Sequence, residues 1–95
     1  MSMINGRLPI TVTAASFITA DPVAVIGFLL TNSGAAAVGQ VTVQDGQNHD
    51  VAALNTTATN GMSALFFPEP ISMTGLSVTV MSGSGAVLYI YLADV

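Results

Sequence analysis

The residues that could carry out covalent or acid–base chemistry are few in this chain. His49 is the only histidine, so any Ser–His–acid triad must use it. Ser82 and Ser84 lie in a glycine-rich turn, but the stretch 83–85 lacks the Gly-x-Ser-x-Gly pattern of a nucleophile elbow. The absence of cysteine removes thiol nucleophiles and thiolate metal ligands. The sequence therefore predicts that the protein is not an enzyme.

The acidic residues could provide a carboxylate pair or a metal site, but each lies beside a turn, a proline or a terminus. The segment from Asp45 to Asp50 combines carboxylate, amide and imidazole groups, yet its spacing differs from an EF-hand loop and it contains no bidentate Glu. The same residue types suit a hairpin tip. Gly83 and Gly85 precede a strand-like segment rather than a helix, and the chain has no Lys, so no phosphate cradle is indicated. We expect no metal and no cofactor.

Charge is scarce, and this limits the possible partners. Charged residues make up 6% of the chain, Arg7 is the only basic one, and the net charge is -4; about 25% charged residues is usual. Nucleic acids and anionic membranes need several basic side chains, so neither is an expected partner. Such a surface is poorly suited to a free monomer, which favours coverage by other subunits. A surface wetted by Ser, Thr, Asn and Gln is the alternative.

Neither export nor membrane anchoring is indicated by the sequence. The longest strongly apolar stretch, Val23 to Leu30, is too short to cross a bilayer as a helix. The first nine residues lack the basic start and apolar run of a signal peptide.

Turn residues divide the chain into short segments rich in Val, Ile, Thr, Phe and Tyr, which favour strands. No segment shows a capped helical repeat. The sequence predicts an all-β protein: an N-terminal arm over residues 1–9, then a single β-sandwich domain over 10–95, jelly-roll or immunoglobulin-like, with about seven to eight short antiparallel strands. The seven strands expected are Ile10–Ala14, Val23–Leu30, Gln40–Gln44, His49–Leu54, Met62–Phe67, Leu76–Val80 and Val87–Leu92.

Three local patterns refine these strands. Asp45-Gly46 predicts a hairpin turn. Pro68 is expected to end the strand before it. Period-two alternation places Leu76, Val78 and Val80 on one face of their strand.

The last strand is apolar on both faces. Leu88, Ile90 and Leu92 form one face, and Val87 with the two tyrosines, Tyr89 and Tyr91, forms the other. One face can line the core, and the other must be covered either within the chain or by a partner. Tyr is enriched at protein interfaces because it joins a large apolar ring to a polar tip.

The layout of the chain resembles that of a known group of proteins. An apolar strand runs into Thr31-Asn32-Ser33-Gly34, then come Gly39 to Gly46, Pro70-Ile71, Gly75 to Val80 and a closing Val87 to Tyr91. Over roughly residues 23–92 this arrangement of strands and turns resembles the small β-sandwich virion proteins of tailed bacteriophages, including capsid decoration or cement proteins. The resemblance implies a homo-oligomer, commonly a trimer, made in the host cytoplasm and seated on the capsid surface where major capsid proteins meet.

The sequence thus predicts a non-enzymatic structural protein that binds and stabilises a phage capsid shell. Two alternatives stay open: a tail, fibre or head-to-tail component, and a carbohydrate-binding β-sandwich module, whose exposed Tyr or Phe would stack on sugars. The absence of Trp weakens the latter. Under the main hypothesis the N-terminal arm contacts the capsid or exchanges between subunits, Arg7 pairs with a carboxylate, and aromatic rings make apolar contacts. The candidate interface residues are Met3, Ile4, Arg7, Leu8, Phe28, Tyr89 and Tyr91.

Overall fold

The computed structural model describes residues 9–32, 39–56, 61–83 and 85–93 and shows an all-β chain. No helix occurs in these ranges, and so none that could cross a membrane. The strands form one antiparallel sheet in the order β1-β6-β2-β5-β3-β4. Their bounds are β1 (Ile10–Val12), β2 (Ser16–Asn32), β3 (Gly39–Asp45), β4 (Asp50–Thr56), β5 (Gly61–Ser82) and β6 (Ala86–Leu92).

The two long strands, β2 and β5, divide the sheet into two halves. In the β6 half, the C-terminal part of β2 (27–32) lies between β6 and the N-terminal part of β5 (61–66), and β1 flanks β6. In the β3 half, the C-terminal part of β5 (71–82) lies between the N-terminal part of β2 (16–25) and the β3–β4 hairpin. Both halves therefore share the same two strands.

The strand β5 joins two segments that the sequence predicts as separate strands. The prediction that Pro68 ends its strand is wrong, because β5 continues through Pro68 and Pro70. The register with β2 passes from Gly27 opposite Phe66 to Val25 opposite Ile71, so β5 bulges over 67–70. Within a bulge the missing N–H of proline breaks no ladder hydrogen bond. The described residues accordingly contain six strands instead of seven or eight.

The sheet curls so that its two halves face each other. In a flat sheet, β3 and β6 would lie three strand spacings apart, roughly 14 Å, but their Cα atoms approach within 8 Å. Inward side chains from all six strands form one buried cluster, as period-two alternation requires. Its members are Val12, Val25, Phe28, Leu30, Val41, Val43, Ala52, Leu54, Leu76, Val78, Ala86, Leu88, Ile90 and Leu92.

One end of the core holds a buried polar contact. Thr56 is 2% exposed, and its Oγ1 accepts a hydrogen bond of 2.8 Å from the backbone N–H of Gly39. A Cβ at Gly39 would lie only 2.9 Å from this oxygen, so the glycine permits the approach. The bond joins the start of β3 to the end of β4 and satisfies a donor that the fold removes from water.

The hairpin between β3 and β4 confirms the prediction from Asp45-Gly46. Asp45 Oδ1 accepts hydrogen bonds of 2.9 Å from the backbone N–H groups of both Gln47 and His49. Asn48 takes the left-handed conformation with φ of 66°, which Asn tolerates better than most residues. Local side chain–backbone bonds therefore shape this turn, as its composition indicates.

Candidate protein-binding surface

The closing strand β6 has the two-faced character that its sequence predicts. Leu88 and Ile90 are fully buried, whereas Tyr89 and Tyr91 are half-buried and point to the outside of the sheet. The flanking strands β1 and β2 cover both edges of β6. Its outer side chains therefore belong to a continuous external surface of the sheet.

Register extends this surface across the β6 half. Leu29 lies opposite both Tyr89 on β6 and Ala64 on β5. Cross-strand partners point to the same side of a sheet, so these three side chains form one outward row. The rows on either side place Met62 beside Thr31 and Val87, and Phe66 and Tyr91 beside Gly27. Within this surface we call the following group of neighbouring residues the aromatic face: Leu29, Met62, Ala64, Phe66, Tyr89 and Tyr91.

A glycine positions the most exposed ring of the aromatic face. Gly27 lies between Phe66 and Tyr91 in one row, and a Cβ on it would collide with the Phe66 ring and come within 2.6 Å of the Leu65 carbonyl oxygen. The Phe66 ring thus lies over Gly27 and reaches Tyr91, with ring centroids 5.5 Å apart and a 50° angle between the planes. Half of Phe66 (51%) stays exposed. The pair forms an apolar platform held by the backbone.

The aromatic face is also electrically neutral. None of its six residues carries a charge, and Met62 is 70% exposed at its edge. Interface cores combine these two properties: they are depleted of charged residues and enriched in Tyr, Phe and Met. The arrangement can therefore bury apolar area against another protein without desolvating an ion.

The outer surface of the β3 half differs in composition. Its rows run from Gln40 to Asn55 and Ser82, and from Thr42 to Ala53 and Val80. We call this surface the polar face; its residues are Gln40, Thr42, Gln44, Asp50, Ala53, Asn55, Ser77, Val80 and Ser82. The exposed ring of Phe17 on β2 continues the row of Ser77, Gln44 and Asp50. On this face the Gln44 Nε2 amide donates a 2.7 Å hydrogen bond to Asp50 Oδ1.

Val80 corrects one prediction. Leu76 and Val78 are buried as expected, but Val80 is 43% exposed. The register between β3 and β5 passes from Thr42 opposite Val80 to Val43 opposite Val78, which is a bulge. One extra residue turns the following side chain to the other side of the strand.

The predicted interface residues have three different outcomes. Tyr89 and Tyr91 lie on the aromatic face. The expectation that Phe28 contacts a partner does not hold for the folded chain, because its ring is fully buried and packs edge-on against Phe67 at 6.4 Å. The remaining four, in the N-terminal arm, lie outside the described residues: Met3, Ile4, Arg7 and Leu8.

Sequence reasoning missed Leu29, Met62 and Phe66 as surface residues. Leu29 lies in a strand that is apolar on both faces, and Phe66 lies in the apolar run Leu65-Phe66-Phe67. In such runs alternation does not tell which residues point outwards. The available signal was Gly27, since a glycine inside an apolar strand often marks a close approach by another group.

The His49 imidazole and the Asp45 carboxylate, which the sequence offers as possible catalytic or metal-binding groups, interact with each other and with the backbone of the hairpin. His49 Nδ1 lies 3.4 Å from Asp45 Oδ2, and the His49 side chain is largely exposed. Hydrogen bonds from the backbone N–H groups of His49, first, and Gln47 lower the pKa of the Asp45 carboxyl. Among the described residues, no three His, Asp or Glu side chains come together as metal ligands would. Asp45 therefore acts here as an acceptor for its own turn.

Comparison with known proteins adds no relative. No protein-family model matches the chain, and neither curated proteins nor solved structures provide a significant match.

Proposed function

We propose that this chain is a non-enzymatic structural virion protein that binds and stabilises a phage capsid shell through its aromatic face. The observation that carries the proposal is the neutral, partly exposed platform of Phe66 and Tyr91 over Gly27. The inward face of the same strands already forms the hydrophobic core, so the apolar side chains on the outward face are not needed to fill it.

The platform suits attachment to a protein surface. Tyr and Phe supply large contact areas with only two side-chain torsions each, so little rotamer freedom is lost on binding. Tyr89 and Tyr91 lie on β6, which pairs with β1 and β2, and the Phe66 ring packs over Gly27 and against Tyr91, so these contacts restrict the positions of the rings. Contacts that form only with the assembled lattice lower its free energy by mass action. Many weakly bound copies on one shell, or linked copies in a trimer, raise the overall attachment.

The proposal includes the finer architecture and assembly. The curled sheet with a shared core is consistent with a β-sandwich of jelly-roll or immunoglobulin-like type, in which the two halves serve as the two layers. We propose a homotrimer on the capsid surface, assembled from chains made in the host cytoplasm, with the major capsid protein lattice as partner.

Two exposed alanines offer a matched test. Ala64 lies on the aromatic face and Ala53 on the polar face, both on the outside of a strand. Co-sedimentation with undecorated expanded capsids would measure binding of the unchanged protein, Ala64→Glu and Ala53→Glu. We expect Ala64→Glu to weaken binding at least tenfold, because it places a charge in the contact, and Ala53→Glu to bind as the unchanged protein does.

Other results would point elsewhere. Equal binding by both variants would remove the aromatic face from the contact. Binding to purified tails but not to shells would replace the capsid role with a tail, fibre or head-to-tail role. Light scattering provides the assembly state, and a monomer at all concentrations would contradict the trimer.

A further inference from the structure

A groove of about 310 Å³ lies between the tip of the β3–β4 hairpin and the middle of β5. Phe17 and Thr19 of β2 form one wall, and the hairpin residues Asp45, Gln47 and Asn48 form another. Its volume falls at the lower end of the range for small-molecule sites, about 300–1,000 Å³. The groove therefore has room for a small organic group.

Phe17 gives this groove an exposed aromatic wall. It is 70% exposed and lies opposite Ser77, in the same row as Gln44 and Asp50 of the polar face. Phe66, by contrast, is partly covered by its contact with Tyr91. Among the described residues no other ring packs against Phe17. Packing in the core therefore does not explain why an aromatic residue occupies this position.

Polar groups face the ring across the groove. Within the described part of the chain, no hydrogen bond engages the side-chain amides of Gln47 and Asn48. Asp45 Oδ1 is occupied by two backbone N–H groups, whereas Oδ2 has only His49 Nδ1 at 3.4 Å. The groove therefore offers both donors and acceptors beside an apolar ring.

The hairpin tip is fixed in place, so the groove exists before any ligand binds. The backbone N–H of Gly46 donates a 2.9 Å hydrogen bond to the Thr74 carbonyl oxygen. A Cβ on Gly75, whose φ is 86°, would lie 2.6 Å from the Gly46 Cα, so the two glycines let the hairpin and β5 touch. A preformed site loses less conformational freedom on binding.

We propose that this groove binds a neutral sugar ring of a glycan, with the C–H face of the ring stacked on Phe17 and its hydroxyls bonded to Asp45, Gln47 and Asn48. A sugar ring has one apolar face and a rim of hydroxyls that both donate and accept, which matches one aromatic wall opposite amides and a carboxylate. This site lies on the β3 half, away from the aromatic face, and its function does not depend on capsid binding.

The chemistry of the groove disfavours other ligands. Among the described residues, no Lys, Arg or His lines it, and the Asp45 carboxylate does, which disfavours phosphate groups and acidic sugars. Asp45 is the only carboxylate among the described lining residues, and no three His, Asp or Glu side chains of the described ranges come together, so the groove lacks the charged ligand set that a divalent cation favours. A neutral polyhydroxyl compound fits both constraints.

The test is a titration of the isotopically labelled full chain with neutral monosaccharides and oligosaccharides, followed by backbone amide NMR shifts. We expect saturable shifts clustered at Phe17, Gly46, Gln47, Asn48 and Ser77. Phe17→Ala should weaken binding at least tenfold, and Gln47→Ala should weaken it less. Val80→Ala, which removes another exposed apolar side chain of the β3 half, should bind as the unchanged protein does. The amide spectrum of each variant without sugar verifies its fold.

Three outcomes would overturn the proposal. One is the absence of localised shifts at roughly 50 mM sugar, well above a millimolar Kd. Another is undiminished sugar binding by folded Phe17→Ala. The last combines two results: the unchanged protein binds no sugar, and Phe17→Ala has a lower solution mass than the unchanged protein. That combination would mean that Phe17 contacts a second copy of the chain. Capsid co-sedimentation is measured separately, so failure of one proposal leaves the other standing.

Discussion

The outward surfaces of the β6 half and the β3 half are built on the same two strands, β2 and β5, yet they differ in chemistry. The inward residues of both halves are mostly apolar and enter one core. Outside, the β6 half presents Leu, Met, Phe and Tyr together with Thr11 and Thr31, whereas the β3 half presents mostly Gln, Asn, Thr and Ser, with Phe17 and Val80 exposed among them. Since both halves contribute to the same core, the core does not explain the difference between their outer surfaces.

The comparison also explains how a chain with so few charges divides its surface. With 6% charged residues in the chain, the aromatic face carries no charge and the polar face carries only that of Asp50. Amides and hydroxyls hydrate the polar face, but on and beside the aromatic face the polar side-chain groups are only the hydroxyls of the two tyrosines and of Thr11 and Thr31 in the same rows. A contiguous apolar surface of this kind marks an interaction site more often than a free surface. The predictions below test the two faces against each other.

The largest effect is expected from Gly27→Val. Its side chain would displace the Phe66 ring and press on the Leu65 carbonyl oxygen, so we expect the free energy of unfolding to fall by about 3 kcal/mol. Ala53→Val on the polar face, where the side chain is exposed, should change it by less than about 0.5 kcal/mol. Urea denaturation measures both. Similar values for the two variants would show that the aromatic face is not held by Gly27.

The next prediction compares the loss of a buried hydrogen bond with the loss of an exposed one. Thr56→Val leaves the buried N–H of Gly39 without its 2.8 Å acceptor, and we expect a loss of about 2 kcal/mol in the free energy of unfolding. Gln44→Ala removes the exposed bond to Asp50 and should cost less than about 0.5 kcal/mol. Thermal unfolding followed by circular dichroism compares them; equal losses would contradict the role given to burial.

A smaller effect is expected from Phe66→Ala. It removes the ring contact with Tyr91 and uncovers Gly27, which should lower the free energy of unfolding by about 1 kcal/mol. Val80→Ala, also at an exposed position of β5, serves as control and should lose less. Urea denaturation measures the free energy of unfolding of the two variants. A loss from Val80→Ala as large as that from Phe66→Ala would mean that the platform has no stabilising contact of its own.

The smallest effect concerns pH and the hairpin. The pKa of Asp45 is lower in the folded chain than its ordinary value of 3.8, mainly through the His49 N–H. Its stabilising contribution is therefore fully present above about pH 4 and is lost as the pH falls through the lowered, folded-state pKa. Amide NMR from pH 6 to pH 2 should show shifts at Gln47 and His49 first. Earlier shifts on the aromatic face would contradict a change confined to the hairpin.

Local features of this molecule could be predicted from local patterns. The Asp45-Gly46 hairpin is built from bonds that span at most four residues, and the alternation of β6 needs only a period of two. Turn composition and the lack of a capped helical repeat were enough to predict an all-β chain. Of the candidate interface residues in the described ranges, Tyr89 and Tyr91 reach the surface and Phe28 does not. The two tyrosines were distinguishable because their strand alternates with aliphatic residues that suit a core.

The curl of the sheet and the composition of its surfaces depend on contacts between residues far apart in the chain. In β2, Phe28 and Leu29 are equally apolar, and only the pairing with β5 and β6 decides which of them points inwards. The bulges that carry β5 past Pro68 and turn Val80 outwards exist only as mismatches between paired strands. Likewise, the groove beside Phe17 forms because Gly46 reaches Thr74 across the fold. Period-two patterning specifies that a strand has two faces, but the register with its neighbours determines which face meets the core.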